Sequence, residues 1–154
     1  LGHPDGQRIP RDAMLAQVAL IARQTALPVT ADVESGYGDG SPRDAAETAR
    51  GVLAAGAVGL NLEDHPGRDG APVVDAELHA ERIAAMRAVA RAAGVRLFIN
   101  ARTDTYTKQL GADADARLAE TVRRARLYRE AGADGIFVPL APTEAIGRLA
   151  AAID

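Results

Sequence analysis

The 154-residue sequence contains no cysteine. Disulfides, thiolate metal sites and a cysteine nucleophile or acid are thereby excluded. The composition fits a reducing cytosol, so a cytoplasmic location is expected. No basic tract is present either. Lys and Arg total 18 against 21 Asp and Glu, a formal charge of −3, and nucleic acid is not an expected partner. No run of about 18 apolar residues exists, so no membrane partner is expected. The start, Leu1-Gly2-His3-Pro4-Asp5-Gly6, reads as a turn rather than a signal peptide. Beginning on Leu rather than Met suits a fragment or a trimmed chain. No Gly-x-Gly-x-x-Gly follows an apolar run, so a dinucleotide fingerprint is missing. His3, His65 and His79 show no metal-ligand spacing. His79 is expected on a solvated helix face, whereas His65 lies beside acids and is a candidate for acid–base work.

What is present is organised around Ala31-Asp32-Val33-Glu34-Ser35-Gly36-Tyr37-Gly38-Asp39. The apolar run from Leu27 to Ala31 leads into two carboxylates one residue apart and then a glycine-rich turn. A buried strand that carries acids to a polar rim has this pattern, and the glycines let the chain turn without a Cβ penalty. Two acids at a strand end are poor for stability and useful for holding a divalent cation. Tyr37 reads as a packing or lid residue.

The remaining chain alternates helices and strands. A helix follows Pro10, with Met14, Val18, Ile21 and Ala22 inward. Ser41-Pro42-Arg43-Asp44 marks a second helix start, with Ala45, Ala49, Val52 and Leu53 inward and Gly56 as its stop. The second strand runs from Ala57 to Leu62 and ends at Glu63-Asp64. A mobile loop is expected from His65 to Pro72. Asp75 caps a third helix carrying Leu78, Ile83, Met86, Val89 and Ala93, closed by Gly94. Val95 to Ala101 is the third strand, delivering Arg102, Thr103 and Asp104. A helix from about Asp113 to Ala131 places Leu118, Val122 and Ala125 inward and stops at Gly132. Gly135 to Val138 is the fourth strand, and Thr143 caps a last helix with Ile146, Leu149 and Ile153. The echo between Ala55-Gly56-Ala57-Val58-Gly59-Leu60 and Ala131-Gly132-Ala133-Asp134-Gly135-Ile136 supports this parsing. Such alternation implies right-handed crossovers and a parallel sheet. The expected fold is α/β: a single domain over residues 1–154, built as a partial β/α (TIM-type) barrel. About four βα units fit where a closed barrel needs eight; an open doubly wound sheet is the alternative.

In either architecture ligands bind at the carboxyl ends of the strands. Those ends carry Asp32 and Glu34, then Glu63 and Asp64, then Arg102 and Asp104, then Pro139. Oxygen ligands without His or Cys suit Mg²⁺ or Mn²⁺ rather than Zn²⁺. Arginine matches a carboxylate or phosphate with two parallel hydrogen bonds. A structural ion pair with Asp104 or Glu63 would account for Arg102 alone. The same pattern on three successive strands favours a site for a small, metal-chelating anionic acid.

Ala31 to Gly38, Leu60-Asn61-Leu62-Glu63-Asp64, Phe98-Ile99-Asn100-Ala101-Arg102-Thr103-Asp104 and Gly132 to Pro139, in that order and spacing, resemble the isocitrate lyase/phosphoenolpyruvate mutase superfamily. The resemblance covers nearly the whole chain. It implies a β/α barrel with a helix exchanged between subunits and a tetrameric homo-oligomer. The chain would correspond to the central part, from the loop after the second strand through the helix after the sixth. By the family pattern Asp32 would coordinate Mg²⁺ (Mn²⁺ as a substitute), with Glu34 and Glu63 near it through water. Asp5 would hydrogen-bond a metal-bound water, and Arg102 would hold the substrate carboxylate. The implied reaction is cleavage of a carbon–carbon bond in a small 2-oxo or 2-hydroxy carboxylic acid through an enolate-like intermediate. Isocitrate and methylisocitrate lyases resemble one another in a lysine-cysteine-glycine-histidine loop. Here that place holds His65-Pro66-Gly67-Arg68-Asp69-Gly70, which argues against those two activities. Phosphonomutases carry a histidine where this sequence has Pro139, which argues against that activity too. Phosphoenolpyruvate phosphonomutase activity, oxaloacetate hydrolase or decarboxylase chemistry, and a non-catalytic fragment or binding module of the same fold, are the alternatives.

Overall fold

A computed structural model describes residues 9–66 and 72–153. Among these, the elements in chain order are α1 (Arg11–Gln24), β1 (Thr30–Asp32), α2 (Pro42–Ala54), β2 (Gly59–Glu63), α3 (Ala76–Ala92), β3 (Phe98–Arg102), α4 (Ala114–Ala131), β4 (Gly135–Phe137) and α5 (Thr143–Ile153). The strands form one parallel sheet in the order β1-β2-β3-β4. Each crossover adds the next strand on the same side, so the winding never reverses. That is the progression of a barrel wall, and it rules out the doubly wound alternative, whose order reverses at a switch point.

Helix boundaries follow local chemistry. The Ser41 hydroxyl accepts from the Asp44 amide at 3.2 Å, with Pro42 at the first helical position. Asp75 accepts from the Glu77 and Leu78 amides, and Asp113 from Ala116. These are side-chain caps on otherwise unpaired amides. Gly132 ends α4 at φ 111°. Several expected ends shift: β2 begins at Gly59 rather than Ala57, β3 at Phe98 rather than Val95, and β4 ends at Phe137 rather than Val138. Thr143 is the first residue of α5 and not its cap; the Ile146 amide bonds to the Pro142 carbonyl. β1 covers three residues where a run from Leu27 was expected. It is an edge strand with one neighbour, and Leu27 is 75 % exposed.

Alternation along the strands sorts the sheet into two faces. Ala31, Leu60, Leu62, Ile99 and Ala101 are buried in a core with Val52, Ile83, Met86 and Tyr128 from the helices. The opposite, inner face carries Thr30 and Asp32, then Gly59, Asn61 and Glu63, then Phe98, Asn100 and Arg102, then Gly135 and Phe137. It is open, with Phe98 half exposed. Asp32, Asn61, Asn100 and Gly135 share one register row, and Glu63, Arg102 and Phe137 the next toward the carboxyl ends. Within the first row the Asn100 side-chain amide donates to the Asn61 carbonyl at 2.8 Å.

The expected helix faces need three corrections. Among the described residues Ile21 and Ile146 lie outward, on the sides of α1 and α5 turned away from the helices they pack on, α2 and α4. His79 is wholly buried rather than solvated. α3 packs against both α2 and α4, so its buried stripe widens to take in His79 and Arg82. The His79 ring lies 4.7 Å from that of Tyr128, tilted by 60°, and neither ring nitrogen has a hydrogen-bond partner among the described residues. Burial first, then the positive charges of Arg82 and Arg124, push its pKa down to about 3.

A sign follows for stability. The unfolded chain protonates His79 near pH 6.5 while the folded chain resists until about pH 3. The stability present above pH 6.5 is therefore lost as pH falls through that window, by up to about 1.4 kcal/mol per pH unit. Urea unfolding at pH 7 and pH 5 should show a smaller drop for His79→Leu than for the parent, by roughly 2 kcal/mol. An identical drop in both proteins would show that the residue is not held neutral.

Candidate active site

The carboxyl ends of β1, β2 and β3 open into a concavity of about 250 Å³. Asp32, Glu34, Glu63, His65, Arg102, Asp104, Thr107 and Lys108 line it. Asp32, Glu63 and Arg102, far apart in the chain, thus meet on the inner face. Glu34 arrives by another route. The chain leaves β1 through a left-handed backbone at Glu34 (φ 48°), a conformation costing a non-glycine residue roughly 1 kcal/mol. The Asp32 carboxylate takes the Glu34 amide at 3.0 Å and steadies that turn. Gly38 (φ 70°) must be glycine, since a Cβ there would lie 2.1 Å from the Asp44 carboxylate. Tyr37 is buried, as a packing residue would be. Burial, then Glu34 and Asp32, push its phenol up to about 12.

Glu63 and Asp64 are neighbours in sequence and part company in space. Glu63 points inward and pairs with Arg102 Nη1 at 2.9 Å. Asp64 points into the layer between sheet and helices and is fully buried. Its Oδ2 accepts from the Thr103 hydroxyl (2.7 Å), Tyr128 hydroxyl (2.9 Å) and Arg124 Nη1 (3.1 Å), and its Oδ1 from the Asp104 amide (2.8 Å). Asp104, only 1 % exposed, grips Arg102 with a two-point fork. Nε donates to Oδ1 at 2.9 Å and Nη2 to Oδ2 at 3.3 Å. The ion pairs expected of a purely structural Arg102 are therefore present, in a residue that also faces the concavity.

Electrostatics mark the concavity as short of positive charge. Glu63 is pushed up to about 7. Burial is the largest cause; Arg102 opposes it, and Asp104, Asp32 and Glu34 add to it. The short Glu63–Arg102 pair does not prevent the rise, because Asp104 already uses much of that guanidinium. A carboxylate half-neutral near pH 7 among other acids fits a site that awaits a cation. The donor set is all oxygen, which suits a hard ion such as Mg²⁺ or Mn²⁺. Among the described residues no three acids or histidines already form a closed cage. Asp5, the remaining expected site residue, lies outside the described residues, as does most of the loop expected from His65 to Pro72.

Two lining residues escaped the sequence reading. Thr107 and Lys108 sit in the turn after Asp104, which closes with the Lys108 amide on the Asp104 carbonyl at 2.8 Å. Composition held one signal: Lys108 is the single lysine among 18 basic residues.

Removing the Glu63 charge should stabilise the fold selectively. Its folded pKa lies above the unfolded value, so the group favours folding below pH 4.5 and loses that contribution as pH rises through 7. Without added divalent cation, Glu63→Gln should exceed the parent in stability at pH 8, by on the order of 1–3 kcal/mol. The gap should close at pH 5. Denaturant melts at the two pH values measure this, and a variant weaker at pH 8 would contradict the charge balance described.

Comparison with known proteins bears on this arrangement. A family model described as phosphoenolpyruvate phosphomutase matches residues 1–154. The 2-methylisocitrate lyase of Escherichia coli (strain K12) is 34% identical over 150 residues, covering 94% of this chain and 47% of the relative. A crystal structure from Burkholderia cenocepacia J2315, provisionally described as a phosphonomutase, superposes with a TM-score of 0.91 at 46% identity, covering 98% of this chain and 60% of that one. Oxaloacetate acetylhydrolase in complex with the product oxalate gives a TM-score of 0.84 at 28% identity, covering 99% and 51%. The chain spans about half the length of the curated relatives it matches.

Proposed function

The chain belongs to the isocitrate lyase/phosphoenolpyruvate mutase superfamily, and from that premise we propose that the complete protein is a Mg²⁺-dependent lyase. Its substrate would be a small 2-oxo or 2-hydroxy carboxylic acid, cleaved at a carbon–carbon bond. The carrying observation is that Asp32, Glu63 and Arg102, from three successive strands, line one concavity on the open face.

Asp32 would hold the ion directly, with Glu34 and Glu63 reaching it through water. When bound, Mg²⁺ would supply Lewis-acid polarisation of the substrate's 2-oxo or 2-hydroxy oxygen. Arg102 binds the substrate carboxylate and offsets the negative charge that builds as the bond breaks. Asp104 holds two of its N–H groups and Glu63 forms an ion pair with Nη1, which keeps the guanidinium oriented before substrate arrives. His65 lines the same space and is a candidate for moving a proton to or from the substrate carbon. Asp5 remains the proposed partner of an ion-bound water. Assembly as a homo-oligomer, a tetramer by the family pattern, belongs to this proposal.

A second reading, hydrolytic cleavage of an oxaloacetate-like acid, is favoured by one observation. The chain has no cysteine, so it brings no thiol to the bond being cleaved, and the similarity to oxaloacetate acetylhydrolase lies within this same half of the fold.

The complete polypeptide should be assayed with Mg²⁺ against a panel of 2-oxo and 2-hydroxy diacids, following pyruvate, oxalate and glyoxylate. Turnover that a chelator abolishes is expected. Asp32→Asn should lower kcat/KM roughly 100- to 1000-fold and remove any Mg²⁺-induced rise in Tm. Absence of turnover with every acid, together with equal Tm in Mg²⁺ and in chelator, would sink the proposal.

A further inference from the structure

Resting on the reading of Arg102 as the substrate-carboxylate anchor, we propose that Asp104 is a positioning residue that assigns each edge of the Arg102 guanidinium its task. A guanidinium has two edges that can each grip a carboxylate with paired N–H groups: the Nε/Nη2 side and the Nη1/Nη2 end. Asp104 occupies the first through both of its oxygens. Glu63 forms an ion pair with Nη1 at 2.9 Å. What is left to an incoming carboxylate is the Nη1/Nη2 end. The ligand therefore meets a pre-aimed fork and not a freely rotating one, and less ordering entropy is lost on binding.

The fork is rigid because Asp104 is itself held. It is almost fully buried, so its carboxylate does not compete for a ligand in solvent. Its backbone amide donates to Asp64 at 2.8 Å and its carbonyl accepts from Lys108 at 2.8 Å. Thr103, one residue before it, donates its hydroxyl to the same Asp64. Asp64 in turn is pinned by Arg124 and Tyr128 from α4. A continuous set of hydrogen bonds thus runs from the helix layer through the sheet to the residue that faces substrate. Asp104 and Asp64 touch no ligand in this scheme; they act through Arg102.

The test is oxalate binding to the complete polypeptide in saturating Mg²⁺, measured by calorimetry in a double-mutant cycle. Asp104→Asn keeps the size but turns an amide toward Nη2, and should weaken oxalate roughly tenfold. Arg102→Lys keeps the charge but loses the fork, and should weaken it at least as much. If Asp104 works through Arg102, adding Asp104→Asn to Arg102→Lys costs little more. Asp104→Glu, which restores a carboxylate, should recover part of the affinity, and serves if Asp104→Asn folds poorly. Asp134→Asn loosens the Arg87 pairing at the other end of the sheet and is the stability control. It should lower Tm without changing oxalate affinity. Equal losses from Asp104→Asn in both backgrounds, or parent-like affinity in Asp104→Asn, would overturn the positioning role. Unchanged oxalate affinity in Arg102→Lys would instead overturn the anchor reading on which it rests.

Discussion

Asp64 carries a carboxyl group that the fold has taken wholly out of water, and the arrangement of the strand ends depends on how that group is satisfied. Four donors converge on it, from two residues of the chain just past β3 and two of α4. Removing a partner from such a buried pair typically costs about 3–5 kcal/mol. That cost ties the end of β3 to the helix layer. Arg102, the last residue of β3, inherits its orientation from this anchorage through Asp104. A carboxylate one residue earlier, at the Glu63 position, faces the other side of the sheet and could not do this.

The inner face behaves differently. There the carboxylates crowd one another. Glu63 shares its arginine with Asp104 and is raised toward neutrality by burial and by neighbouring carboxylates. Glu34 sits in a left-handed backbone. Concentrated like charge and local strain are costs that a purely structural rim would avoid, and they gather where a cation and an anionic acid would relieve them. The stability of the layer behind, with Leu60, Leu62, Ile99, Ala101, Ile83 and Met86 buried, is what lets the rim remain unfavourable on its own.

Much of the fold was legible because it rests on local chemistry. The caps at Ser41 and Asp75, the glycine stop at Gly132 and the apolar runs before Glu63 and Arg102 are short-range signals, and they appear where expected. What misled was helix facing. The width of a buried stripe depends on how many neighbours a helix has, so His79 read as solvated and Ile21 as inward. Site residues at strand ends were visible from their position after an apolar run. Thr107 and Lys108 were not, since a turn residue's reach into a cavity depends on where the turn folds back.

By itself the sequence determined the alternation of four strands with helices, the chemistry at each strand end and the superfamily these motifs belong to. Each of these is encoded over a few adjacent residues. Only the tertiary structure decided that Glu63 faces the open side while Asp64 serves the interior, and that Arg102 has one edge committed to Asp104. It also decided that His79 is kept neutral between two arginines. These outcomes are set by neighbours 2 to 64 positions away, through burial and the direction of donors, which no local pattern of residue types contains.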